Sequence, residues 1–164
     1  MAITVGVLSS LQHEVAFKRT AIVALQGTIS KYSQQIDQGS PNEAFVTTVA
    51  ANMMRFYTGV EDILEQILKV FDEFQHQGDS WHQTLLISAQ TATRQRPAII
   101  GRATFDALND LRGFRHIVQK AYATPFDWDK MKHLAESVQG TLNGFLEDLD
   151  TFDRFLYQAI DALS

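Results

Sequence analysis

Apolar residues recur along this chain at steps of three, four and seven, in runs far too long for strands. Leu8, Leu11, Val15, Ile22, Leu25, Ile29, Tyr32 and Ile36 trace the first stripe, and their spacing predicts a helix from about Thr4 to Gln38. Its opening residues, Ile3 to Val7, are ambiguous and read equally as extended. A second stripe, Phe45, Val49, Met53, Phe56, Val60, Ile63, Leu64, Ile67, Phe71 and Phe74, predicts a helix to about Gln75. A last one begins at Trp128 and runs through Met131, Leu134, Val138, Leu142, Phe145, Leu149, Phe152, Leu156 and Ile160. Stripes of this length bury a face only against other helices.

Between the stripes the punctuation is sparse and well placed. Gly39 is suited to the left-handed turn that ends a helix. Ser40 and Glu43 form a capping box around Pro41, which suits a first helical position. Gly78 stops the second helix. Asp79 or Ser80 caps a short one from Trp81 to about Ala92, and the stretch from Thr93 to Gly101, with Pro97, reads as a connector. A fourth long helix is predicted from Arg102 to about Tyr122, ended by Thr124-Pro125, and Asp127 caps the last. Gly140 and Gly144 weaken that last helix but offer a neighbouring helix close approach. Three prolines and nine glycines leave little material for the turns of an all-β fold. The expectation is one all-α domain over residues 1–164, an up-and-down four-helix bundle with an additional short helix.

Composition narrows the chemistry. No cysteine means no disulfide, thiolate nucleophile or thiolate metal site, which fits a reducing cytoplasm. The first cation is Lys18, so the start does not read as a signal peptide, and no apolar run approaches the roughly 18 residues of a membrane span. A cytoplasmic protein with no membrane partner is expected. Bundles often hold metals through paired Glu-x-x-His motifs, but only Glu73 and His76 have that spacing; His133 and Glu136 reverse it. His82, beside Trp81 at a helix start, reads as a capping or packing residue, and His13 carries no signal. No metal and no cofactor are expected, and neither a phosphate loop nor a dinucleotide fingerprint is present.

One basic stretch stands out on an acidic chain. The net charge is −5, yet from Arg94 to Lys120 six Lys/Arg face only Asp106 and Asp110. At about 100° per residue, Leu111, Phe114, Ile117, Val118 and Ala121 fall on one arc of the helix. Arg112, Arg115, His116, Gln119, Lys120 and Tyr122 fall on the other, with no acid among them. Taken alone, such an arc is a solvated face; on an acidic body it is also a local site for a phosphate-bearing ligand.

The segment Arg115-His116-Ile117-Val118-Gln119-Lys120-Ala121-Tyr122 resembles the motif of the HEPN superfamily, specifically the HepT-like toxin ribonucleases, in which Arg, four residues, His, one residue and Tyr recur. The neighbourhoods Trp81 to Leu86, Arg96 to Ile100, Leu111 to His116 and Phe126 to Trp128 are similar too, over about residues 45–160. The resemblance implies an HEPN-like bundle, a homodimer, metal-independent cleavage of RNA, and a nucleotidyltransferase antitoxin that attaches AMP to the motif tyrosine, here Tyr122. It implies Arg115 as the stabiliser of charge on the attacked phosphate; Arg112 and Gln119, on the same polar arc, are expected as substrate contacts. The motif histidine is replaced by Lys120. Lysine begins near pKa 10.4 and is a poor base unless its surroundings depress that value, so His116 is the nearest imidazole that could act instead. Lys for His also fits a module that holds a nucleotide or RNA phosphate without cleaving it, and a purely structural helical partner is the third reading. Elemental analysis of purified protein is expected to find no stoichiometric iron, zinc or manganese.

Overall fold

The computed structural model describes residues 2–39, 42–121 and 125–164. They form five helices and no strand: α1 (Val5–Asp37), α2 (Glu43–Asp72), α3 (Trp81–Gln90), α4 (Arg102–Gln119) and α5 (Trp128–Leu163). The all-α expectation holds. Helices α1, α2, α4 and α5 close a ring in which α1 packs on α2 and α5, and α4 packs on the same two from the other side. The short α3 lies against α2 and α4.

Local chemistry sets the ends. The Thr4 hydroxyl accepts from the Val7 amide, which starts α1 and makes Val5 to Val7 helical where the sequence was ambiguous. The Asp127 carboxylate accepts from the Asp129 amide, the expected cap of α5. Four expectations change. Gly39 is not left-handed; α1 ends at Asp37. Asn42 caps α2 through the Ala44 and Phe45 amides, which makes Glu43 the first helical residue and removes it from a capping box. Ser40 and Pro41 lie outside the described residues. The left-handed turn after α2 belongs to Glu73 (φ 50°), and α4 stops at Gln119, short of the expected end.

The core is built mainly on α2, where Met53, Phe56, Tyr57, Val60, Ile63, Leu64 and Leu68 are fully buried. Two small residues permit close helix contact. A Cβ on Gly59 would stand 2.7 Å from Ile22 Cγ2 of α1, and one on Gly144 would stand 3.2 Å from Thr104 Oγ1 of α4. The second fulfils the expectation for the glycine pair by half, since a Cβ on Gly140 meets nothing. At one end of the bundle Asp37 takes the Trp128 indole N–H (3.3 Å) and the Lys132 ammonium (3.1 Å), tying α1 to α5.

Arg96, in the connector, is buried, and every one of its five N–H donors is used. Nε and Nη2 fork onto Asp72 at the end of α2 (2.7 and 2.6 Å). Nη2 also reaches the Ser88 carbonyl, and Nη1 reaches those of Thr91 and Pro97. The Ile99 and Ile100 amides bond the Ala89 carbonyl, and the Gly101 amide bonds Asp148 on α5 (3.0 Å). The connector is thereby fixed on both sides, and α4 starts at a defined place.

Arg96→Leu leaves Asp72 and three carbonyls without a partner, a loss of about 3 kcal/mol for a broken buried pair; urea denaturation measures it. Gly59→Ala gains about 1 kcal/mol of helix propensity but overpacks Ile22 at a cost of about 1–3 kcal/mol. Its expected net effect is a small loss of stability, readable as a lower Tm.

Candidate functional site

Where α3 starts beside the last two turns of α4, a cleft of about 340 Å³ opens, lined by Asp79, Ser80, His82, Gln83, Arg112, Arg115, His116 and Gln119. The four α4 residues come from the polar arc. Arg112 and Arg115 are half-buried, and neither makes an ion pair among the described residues. Arg112 Nε donates to Asn109 Oδ1 (3.0 Å), which orients its guanidinium without neutralising it.

The rear of the cleft is anionic. Glu61 on α2 is 3% exposed, and its Oε2 stands 2.5 Å from His82 Nδ1. A carboxylate so desolvated persists only with a strong partner, and the short contact is of the charge-assisted kind. One turn earlier, Tyr57 is wholly buried, and its hydroxyl makes no hydrogen bond within the described residues. Burial, and then the nearby Glu61 carboxylate, hold the Tyr57 phenol far above its usual pKa, while Arg112 and Arg115 pull weakly the other way. The two guanidiniums thus feel the buried groups behind them.

A stack of rings adjoins the cleft at His82. Trp81 lies between His76 (3.8 Å between centroids, 11° between planes) and His82 (3.6 Å, 32°). His76 Nε2 stands 2.7 Å from Glu65, one turn along α2 from Glu61. Burial alone would raise the Glu65 carboxyl; the Lys69 ammonium and then His76 outweigh it and hold it below its ordinary value. His76 is therefore occupied by Glu65, while Glu73, the acid three positions before it, forms the helix cap. Among the described residues no group of three or more His, Asp or Glu could hold a metal ion.

Lys120 stands elsewhere. Five positions along a helix is about 140° around its axis past a full turn, and Lys120, the C-cap of α4, lines a second groove, between α4 and α5. That groove, about 910 Å³, is mostly apolar, with Phe114, Ile117, Phe126, Met131 and Leu134 in its walls. His116 lines both spaces and separates them. Ile117, expected on the buried arc, is 59% exposed, in the wall of this groove. Tyr122 lies outside the described residues.

The sequence pattern alone did not mark Glu61, and it read His82 as a capping or packing residue. A signal for Glu61 existed. It sits four positions after Tyr57, three before Leu64 and seven before Leu68, all fully buried, so an acid interrupts an apolar arc. The partner that makes this tolerable is 21 positions away and shows no such pattern.

A phenol with a raised folded-state pKa contributes its full stability below the unfolded value near 10 and loses it as pH rises beyond. Tyr57→Phe is accordingly expected to flatten the alkaline fall in stability above about pH 10, measured by denaturation at pH 8 and pH 11.

The family model described as HepT-like protein matches residues 48–156, from the first turns of α2 to the last part of α5. The matched span includes every residue of the cleft. No curated protein and no solved structure matches the chain. No helix of the described residues is long and apolar enough to cross a membrane.

Proposed function

Because the chain belongs to the HepT-like protein family, we propose that it acts on RNA as a metal-independent endonuclease, the toxin of a toxin–antitoxin pair. The observation that carries this reading is the pair of guanidiniums, Arg112 and Arg115, side by side on one cleft wall with no acid paired to either among the described residues. Two unneutralised cations beside His116 and Gln119 suit a single phosphodiester: the guanidiniums take the non-bridging oxygens, and the charge that develops on them strengthens the contact. Lys120, around the helix from Arg115, extends the cationic track toward the next phosphate. Tyr122 follows as the residue for a nucleotidyltransferase antitoxin to modify; AMP there would add bulk and negative charge just past the end of α4. The expected compartment is the cytoplasm.

A homodimer belongs to the same reading. The apolar groove beside α4, with Ile117 exposed in its wall, is a face that a second copy would cover. Two copies paired there bring two sets of α4 cations to one RNA backbone, which offsets the repulsion from a chain of net charge −5.

With chelator present, the purified protein is expected to cleave single-stranded RNA. Arg115→Ala should lower the rate by about 10²–10³-fold, as for removal of a donor to a developing oxyanion. Lys120→Ala should instead weaken RNA binding and reduce its salt slope by about one. A wild-type protein that binds oligonucleotide through Arg112 and Arg115 yet never cleaves is the phosphate-holding module, the reading that Lys120 at the motif position favours. Ile117→Glu is expected to shift sedimentation at micromolar concentration from dimer to monomer.

A further inference from the structure

Proton transfer in this cleft needs a side chain that lines it, and Lys120 stands in the adjacent groove. Two imidazoles line it, His82 and His116. They are not equivalent. His116 is exposed on α4. His82 is held: Trp81 covers one ring face, and Nδ1 is bonded to the buried Glu61 carboxylate at 2.5 Å. The bond fixes both the ring's orientation and the tautomer with the proton on Nδ1, leaving Nε2 with its lone pair. Nε2 has no protein partner among the described residues and is not sealed from solvent. The carboxylate also favours the imidazolium that forms when Nε2 takes a proton. A buried acid behind a histidine whose other nitrogen meets the substrate is the arrangement of a positioned general base.

We propose that His82 is the catalytic base of this site, with Glu61 its positioning residue, and that together they do the work the motif histidine would do. The proposal rests on the RNA-cleaving reading above. Nε2 of His82 removes the proton of a ribose 2′-hydroxyl. The 2′-oxygen bonds to the adjacent phosphorus as the bond from phosphorus to the 5′-oxygen breaks. The 5′-oxygen takes a proton from the His116 imidazolium. The products are a 2′,3′-cyclic phosphate and a 5′-hydroxyl, and Arg112 and Arg115 carry the charge on the non-bridging oxygens. The charged and titratable groups facing His82 are Glu61 and Tyr57 from α2, Asp79 from the loop before α3, Arg112, Arg115 and His116 from α4, and His76 across Trp81.

The test is a cleavage assay on the full chain with chelator, across pH, using a single-stranded RNA and its 2′-deoxy counterpart as a non-cleavable binding probe. His82→Gln should lower the rate about 10²–10⁴-fold while binding the deoxy probe as wild type does. Added imidazole should partly restore His82→Ala, which a merely structural histidine would not allow. Glu61→Gln removes the carboxylate that favours the imidazolium, so the acid limb of the pH–rate profile should move to lower pH. If wild type cleaves and His82→Gln cleaves within about tenfold of it, the proposal is overturned and the RNA-cleaving reading stands. If wild type cleaves no RNA, the cleaving reading falls and the assignment falls with it. Should His82→Gln not fold, the imidazole rescue and the Glu61→Gln profile decide the matter.

Discussion

The buried fork between Arg96 and Asp72 is the constraint on which the cleft depends. A guanidinium out of water is tolerated only when all its donors are used, and Arg96 uses five. Satisfying them requires the end of α2, the last turn of α3 and the connector to meet at one point. With that point fixed, α3 must run along α2 and α4 must begin just after Gly101, whose amide is held by Asp148 of α5. The start of α3 then lies beside the end of α4, which is how His82 comes to share a cleft with Arg112 and Arg115. An ion pair outside the cleft thus decides its existence.

Inside the cleft, charge is arranged by depth. Glu61 is buried and faces His82; the guanidiniums are half-buried in front; the rest of the chain is acidic. A buried carboxylate lowers the free energy of cations near it, which offsets the repulsion between Arg112 and Arg115 and leaves both charged at an open surface. Tyr57 behind Glu61 stays neutral for the same reason, since a second buried anion beside the first would have no cation of its own.

Much of the fold was readable from period alone. The stripes of α2 and α5 are apolar enough to be seen in isolation, and Asp127 marks the start of α5 to the residue. Short-range details were less legible, because several residues in the same loop can serve one role. Asn42 took the cap that Ser40 offered, and Glu73, with a Cβ, took the left-handed turn at the end of α2, although Gly78 follows in the same loop. Ile117 looked buried because periodicity gives only a direction; whether another helix stands there is decided by the packing. The basic arc was legible, and the structure divides it, with Arg112, Arg115, His116 and Gln119 in one cleft and Lys120 in the adjacent groove.

The sequence by itself determined the helices, their order, the all-α class and the concentration of positive charge on α4, because each depends on residues within a few turns of one another. Tertiary structure decided which of those charges act together and what stands behind them. Glu61 and His82 are 21 positions apart, and His82 and Arg115 still further; no local pattern joins them. They meet because burying α2 on both sides leaves one acid inside the bundle, and a buried acid requires a partner that only a neighbouring helix can supply.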